Sequence, residues 1–355
     1  MKAVILAGGF GTRLRPLTCS RPKQLLPLGT STLIGYLLDQ LHQANVSEVI
    51  LATGYGIEHL QEYLGDGSTY ELKVHYSVES EPLGTAGAIK HAESFLQGEE
   101  MFLALNGDIV SDINYTQLIK HHQKHEATVT ITLYKVQDPS RYGVVEITSK
   151  GRIRRFVEKP APGQAPSNLI NAGCYVLNHT VLDQIPSNRQ VSIEREVFPA
   201  LCSSAKVIGW EHQGIWVDTG TPASFLEAHH ALLTKMRKSQ FIGEETQIAS
   251  SAVIGSNVTI GKHAIIGPKT RLTNTVIFDD VIIGEGTIIN EAIIGQGAVI
   301  GKDLRLEKHV IVGDGAIIEA GANIPPGTLI CPNCHIKKDE TPPHCFVKSY
   351  KSLGI

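Results

Sequence analysis

Gly8, Gly9 and Gly11 stand within four residues, Thr12 and Arg13 follow them, and a second basic residue arrives at Pro22-Lys23. Glycines in such a loop let backbone N–H groups approach a phosphate with no side chain in the way. A tight turn would use the same residues. Neither common nucleotide motif fits: the Lys-Ser/Thr of a Walker A loop is missing, and a dinucleotide fingerprint would need one more glycine and a helix starting at once. Two further groups invite a metal or haem reading. Cys331-Pro332-Asn333-Cys334-His335 spells C-x-x-C-H, and with His344 and Cys345 it offers four zinc ligands. Haem attachment requires export, and a structural zinc site joins two paired knuckles, so two thiols in a C-terminal coil with a loose tail is the expectation. His121 and His125 are spaced i, i+4 on an expected helix, without a third ligand nearby, and read as a polar face.

The elements that would carry these residues fall into two kinds. From Ile282 an aliphatic residue occupies every sixth position through Ile336, and an earlier register runs Ile248, Ile254, Ile260, Ile266, Leu272, Phe278. A six-residue repeat lets three short strands make one turn of a parallel β-helix, about five coils of about 18 residues in all. The register slips between Phe278 and Ile282, which reads as a coil with an altered corner. The first half alternates apolar strands, at 2–7, 48–54, 73–78 and 101–105, with helical patterns near 32–44, 57–64 and 85–96. That order is the signature of a parallel sheet covered on both faces. More β-rich stretches follow at 127–136, 142–148 and 153–157, and a helix over 222–237 would close the domain. The expected organisation is a first domain at 1–240, a β-helix at 245–340 and a tail at 341–355.

What lifts the glycine loop above a bare turn is the length of the string Leu6-Ala7-Gly8-Gly9-Phe10-Gly11-Thr12-Arg13-Leu14 followed, seven residues on, by Pro22-Lys23. Further strings keep the same order: Glu81-Pro82-Leu83-Gly84-Thr85-Ala86-Gly87, Asn106-Gly107-Asp108, Phe156-Val157-Glu158-Lys159-Pro160, Ile170-Asn171-Ala172-Gly173, Ser192-Ile193-Glu194-Arg195-Glu196, and Trp216-Val217-Asp218-Thr219-Gly220. Together they resemble the sugar-1-phosphate nucleotidyltransferases, most of all the mannose-1-phosphate guanylyltransferases (GDP-mannose pyrophosphorylases). The resemblance implies an α/β, Rossmann-like nucleotidyltransferase domain followed by a left-handed parallel β-helix of hexapeptide repeats. It implies attack of a sugar-1-phosphate oxygen on the α-phosphorus of a nucleoside triphosphate, GTP favoured, with release of pyrophosphate.

Such a transfer needs positive charge and alignment more than covalent help. On the resemblance, Arg13 and Lys23 are catalytic, a planar fork and a point charge on the triphosphate. Leu6, Ala7, Gly8, Gly9, Gly11, Thr12, Glu79, Gly84, Thr85, Asn106 and Gly107 would bind the nucleotide. Gly143, Glu158, Lys159 and Asn171 would bind the sugar phosphate. Asp108 and Asp218 would hold Mg2+, a hard cation that keeps oxygen ligands. Glu79, four positions before Leu83-Gly84-Thr85, resembles the position where uridylyl and thymidylyl enzymes present Gln. A carboxylate there accepts from both guanine donors, N1–H and N2–H2. Gln24 and the Trp-x-Asp-Thr-Gly-Thr context of Asp218 lean instead toward the thymidylyltransferases, so a glucose-1-phosphate thymidylyl- or uridylyltransferase stays open. So do a bifunctional enzyme using His263 or His309 for acyl transfer and a non-catalytic regulatory subunit that binds nucleotide sugar.

Composition narrows the class further. The chain has 355 residues, 42% of them apolar and 19% charged, with a net charge of −3, so neither disorder nor a nucleic-acid surface dominates. No apolar run reaches the roughly 18 residues of a membrane span, and the stretch before Gly8 is too short for a signal peptide. Six cysteines are few for this length and fit free thiols in the cytoplasm. A solenoid end exposes strand edges, so a homo-oligomer is expected.

Overall fold

Short aliphatic runs form the centre of the first sheet: β1 (Lys2–Leu6), β2 (Glu48–Thr53), β3 (Lys73–Val78) and β4 (Met101–Asn106). They pair in parallel in the order β3-β2-β1-β4, with Ile5 beside Leu51 on one side and Leu105 on the other. Parallel neighbours need crossovers, and α1 (Leu33–Gln43), α2 (Ile57–Leu64) and α3 (Gly84–His91) provide helices for them. In α1 the buried residues Ile34, Leu37, Leu38 and Leu41 recur at i, i+3, i+4 and i+7, the stripe that docks a helix on a sheet. The third helix is shorter than its pattern suggests, because Glu93–Leu96 is a separate 3-10 turn.

The expectation of a parallel sheet holds across these four strands, and the rest of the sheet is mixed. Beyond them come β5 (Val129–Lys135), β6 (Gly143–Ile147), β7 (Ile153–Glu158), β8 (Leu169–Asn178) and β9 (Val207–Glu211). The ten-residue β8 runs antiparallel to β4, pairing Cys174 with Leu105, and antiparallel to β5. A β6–β7 hairpin and a parallel β5–β9 pair complete a mixed sheet of nine strands. Both faces of β8 are covered, so its sequence shows a buried run rather than an alternation.

The computed structural model describes residues 1–54 and 56–341. The chain divides into two compact units, one of Met1–Gly9 and Ile34–Trp216, the other of Phe10–Leu33 with the chain from Val217 onward. The second unit therefore contains the segment carrying Arg13 and Lys23. It also contains α4 (Pro222–Lys235), which opens on a capping box between Thr221 and Ser224 with Pro222 in its first turn.

After α4 the second unit is a parallel β-helix with three sheets of six, six and four strands. Its interior is lined by Ile260, Ile266, Leu272, Ile277, Ile283, Ile289, Ile294, Ile300, Leu306 and Val312, all buried. This corrects the sequence register. The interior uses Ile283 and Ile289, not Ile282, which is 41% exposed, nor Ile288. In place of one slip between Phe278 and Ile282, two steps of five residues occur, Leu272 to Ile277 and Ile289 to Ile294. Strand partners accordingly stand 18 apart in the first coil (Val253 with Arg271) and 17 apart in the next ones (Arg271 with Ile288). Displaced from the stack, Phe278 packs edge-on against Phe225 of α4, ring centroids 6.2 Å apart.

Candidate active site

In the first unit the C-terminal ends of the parallel strands gather the expected nucleotide residues, as open α/β sheets do. Leu6 and Ala7 end β1, where the Ala7 N–H donates to the Ala52 carbonyl and the Leu6 carbonyl accepts from Gly107 N–H, both at 2.9 Å. That second bond fixes the Asn106-Gly107-Asp108 turn directly beside the β1 end. Asn106 faces Gly173, whose φ is +70° and where a Cβ would lie 2.6 Å from the Asn106 amide nitrogen. Only glycine fits there. Gly84 is similarly constrained, since its φ is +71° and a Cβ would stand 2.7 Å from the Val191 carbonyl oxygen.

Glu79 follows β3, and its Oε2 accepts from the Leu83 N–H at 2.9 Å. This side chain therefore shapes the turn into α3 as well as offering its remaining acceptor capacity. Thr85 donates its hydroxyl to Glu194 Oε2 at 2.7 Å and accepts from the Ile193 N–H at 2.9 Å. The Ser192 hydroxyl also donates to Glu194, at 2.8 Å. The two strings 81–87 and 192–196 are thus one structure, which the sequence quotes separately.

Glu194 was not among the expected site residues. It is also the group that, after burial, pushes the Glu158 carboxyl above its ordinary range, while the adjacent Lys159 ammonium pulls the other way from 3.6 Å. Gly143 makes room for that carboxylate: a Cβ would sit 2.8 Å from Glu158 Oε2 and 2.6 Å from the Phe156 ring. Asn171 donates to the Tyr175 hydroxyl at 2.7 Å and accepts from the Gly173 N–H at 2.9 Å. Tyr175 is wholly buried, and burial followed by the Glu194 charge raises its phenol well above the usual value. Glu158, Lys159, Glu194 and the Asn171–Tyr175 pair, all of the first unit, form a polar cluster able to accept from hydroxyls and to balance an anion.

In the second unit Gly8's successors take a different course. Gly11 has φ +59°, and a Cβ there would stand 3.0 Å from Thr18 and 3.2 Å from Lys23 Cβ. The Gly11 carbonyl accepts from the Thr18 hydroxyl at 2.8 Å, which closes the loop on the basic segment. Lys23 is 5% exposed, an uncommon place for a lysine. Gly8 and Gly9 are exposed, with open space where a Cβ would stand, and Thr12 and Arg13 are exposed as well. Gly220 brings two expected residues together: a Cβ there would lie 2.7 Å from an Arg13 guanidinium nitrogen and 3.0 Å from Asp218 Oδ1. The glycine leaves a cradle at the Asp218 carboxylate, whose hard oxygen suits Mg2+. Asp108 lies in the first unit, half-buried after β4.

Other sequence candidates resolve plainly. Cys19, Cys174, Cys202 and Cys334 are free, but Cys331 is disulfide-bonded, which overturns the free-thiol expectation at that residue. The zinc reading also needs His344 and Cys345, which lie outside the described residues. The His121 and His125 rings lie tilted against each other, centroids 4.1 Å apart, and a ring nitrogen of His125 is 2.9 Å from the His121 carbonyl oxygen. His263 and His309 sit at β-helix corners with φ of +55° and +70°.

A mixed sheet whose first strand runs into a glycine loop, followed along the chain by a parallel β-helix, defines the class. Residues 2–235 match the nucleotidyl transferase family and residues 236–346 the GMPPB C-terminal domain, and the chain belongs to the nucleotidyl transferase family. It is 43% identical over 245 residues to the mannose-1-phosphate guanyltransferase of Aspergillus fumigatus, an alignment covering 67% of this chain and 66% of that one. To the mannose-1-phosphate guanylyltransferase of Mycobacterium tuberculosis it is 40% identical over 226 residues, 63% of this chain and 62% of that one. The chain thus spans a little under two thirds of the length of these relatives. Among solved structures, HddC from Yersinia pseudotuberculosis complexed with GMP-PN superposes with a TM-score of 0.56 at 26% identity, over 65% of this chain and 99% of HddC.

Proposed function

We propose that the chain transfers GMP from GTP to mannose-1-phosphate, giving GDP-mannose and pyrophosphate. The observation that carries this reading is the guanyltransferase name shared by relatives 40–43% identical to this chain. The family match over 2–235 contains every site residue assigned above. Lys23 and Arg13 bind and orient the triphosphate, with Gly8, Gly9 and Gly11 keeping side chains out of its path. Gly84, Thr85, Asn106 and Gly107 receive the nucleoside, and Glu79 reads the guanine edge. Glu158 and Asn171 accept from and donate to sugar hydroxyls, and the Lys159 ammonium balances the incoming phosphate. Asp108 and Asp218 are the residues that would offer carboxylate oxygen to Mg2+, which would supply charge neutralisation for the phosphate oxygens.

Among the described residues no helix is long and apolar enough to cross a membrane. The cytoplasm is the proposed location, supported by the four free thiols.

A coupled pyrophosphate-release assay across four nucleoside triphosphates, with mannose- and glucose-1-phosphate as acceptors, tests the reading. GTP with mannose-1-phosphate should exceed every other pair by about tenfold or more in kcat/KM. A dTTP or UTP pair that matches it overturns the base assignment. No pyrophosphate from any pair overturns the enzyme and leaves the regulatory subunit.

A further inference from the structure

Lys23 does not stand on its own segment alone. Two residues before it, Arg21 reaches the β-helix, where its Nη2 donates to Asp314 Oδ2 at 2.6 Å and to Gln296 Oε1 at 2.9 Å. The Ser20 hydroxyl donates to the same Asp314 oxygen at 2.5 Å. Asp314 is itself fixed, because its Oδ1 accepts from the Gln296 N–H at 2.8 Å. Gly295 permits this arrangement, since a Cβ there would stand 2.6 Å from Asp314 Oδ1. Gln296 is held in turn by a bond from its amide nitrogen to Asp280 at 3.2 Å, and the Arg21 guanidinium lies over the Phe278 ring at 5.9 Å. Arg21 and Asp314 are only 20% and 15% exposed, so solvent screens this pair less than a surface salt bridge.

We propose that Asp314 is a positioning residue for the triphosphate site: the β-helix holds Arg21, and Arg21 sets the place of Lys23. This rests on the reading that Lys23 binds the triphosphate. The link between them is short and stiff. Pro22, between the two, has φ −59°, locked by its ring, and the Leu25 and Leu26 N–H groups donate to the Pro22 and Lys23 carbonyls at 3.0 Å, which winds Lys23 into a 3-10 turn. Lys23 Cβ then abuts Gly11, so movement at Arg21 carries into both the lysine and the glycine loop. Alignment of reacting groups is sensitive at the scale of about 1 Å, where misplacement costs on the order of 100-fold. A carboxylate from a hexapeptide repeat, in the half of the chain with no assigned substrate contact, thereby enters the alignment of the phosphate chain.

The test is steady-state kinetics of the full chain with each substrate varied in turn, alongside thermal unfolding. Asp314→Ala should lower kcat/KM for GTP by about tenfold to 100-fold, while KM for the sugar-1-phosphate moves by less than about twofold. Arg21→Ala should do the same, and the double variant should be no worse than either single one, because both act through one contact. Should Asp314→Ala not fold, Asp314→Asn, which keeps the shape and removes the charge, carries the same expectation in milder form. Folded Asp314 variants with wild-type GTP kinetics overturn the proposal. So does equal damage to both substrates together with a lowered unfolding midpoint, the pattern of a purely structural role. Lys23→Ala separates the two layers: if it leaves GTP kinetics intact, the assignment of Lys23 falls and the proposal with it, whatever Asp314 shows.

Discussion

At the scale of single residues, the reading of the base turns on how many acceptor positions Glu79 has left. One oxygen already receives the Leu83 N–H. The other oxygen and the unused lone pair still accept, which suits the two donors on the guanine edge. Glu79→Gln can keep the turn only by giving its carbonyl oxygen to Leu83, and it then presents an NH2 group to the base. Preference for GTP over UTP and dTTP should fall by about 1–3 kcal/mol, the discrimination of one bidentate base contact. Comparing kcat/KM for the three nucleotides in wild type and variant measures it, and an unchanged ratio places base reading elsewhere, on the main chain near Gly84 and Gly107. The residues that motif strings could name were those with a chemical identity of their own, such as Arg13, Lys23 and Glu158. Glu194 escaped because its partner Thr85 lies 109 positions away, and nothing local marks a glutamate that acts through a distant hydroxyl. Gly220 escaped for the same reason: its value lies in the space it leaves for Arg13 and Asp218.

At the scale of elements, α4 depends on a histidine kept neutral. His229 is buried, its Nε2 is 3.1 Å from the Pro27 carbonyl oxygen and its Nδ1 is 3.2 Å from the Thr259 hydroxyl. Burial pushes its pKa down to about 4, against a bond to Pro27 that favours the charged form. Above pH about 6.5 folded and unfolded chains both hold it neutral, and there is no cost. As pH falls from there toward 4 the unfolded chain takes up the proton and the folded one does not, so stability falls by up to about 3 kcal/mol. Urea unfolding at pH 7.5 and pH 5 should therefore show a larger drop for wild type than for His229→Gln; equal drops would remove this histidine from the acid sensitivity. The elements also show where the sequence was legible. The parallel strands and their helices could be read from apolar runs and spacing, because each run is contiguous and bounded by turns. The β-helix could be recognised from its period, but not its register where Ile282-Ile283 and Ile288-Ile289 put two aliphatics side by side and only packing selects the inner one. The long strand Leu169–Asn178 stayed hidden, since a strand buried on both faces has no alternation to detect.

At the scale of the whole molecule, the second unit presents an apolar ladder. Ile265, Ile282 and Ile317 share one position of one β-helix sheet and are 43%, 41% and 41% exposed. Rows of exposed isoleucine are a surface that self-association covers. Light scattering at micromolar concentration should give a mass of two or more chains of 38.5 kDa, and Ile282→Lys should shift it toward one; a wild-type monomer would contradict the expectation. The second unit has one further property, set by its connectivity. Its opening segment, Phe10–Leu33, is separated from the rest of the unit by the whole of Ile34–Trp216. Arg21 and Asp314 stand 293 positions apart. A ribosome adding about 5–20 residues per second exposes the arginine roughly 15–60 seconds before it makes the aspartate. By the end of that interval the first unit has all its strands, while Arg21 still lacks its carboxylate partner. The surroundings of the basic segment are therefore incomplete until residue 314 is made, and a chain interrupted before it carries Lys23 without the carboxylate that anchors its segment.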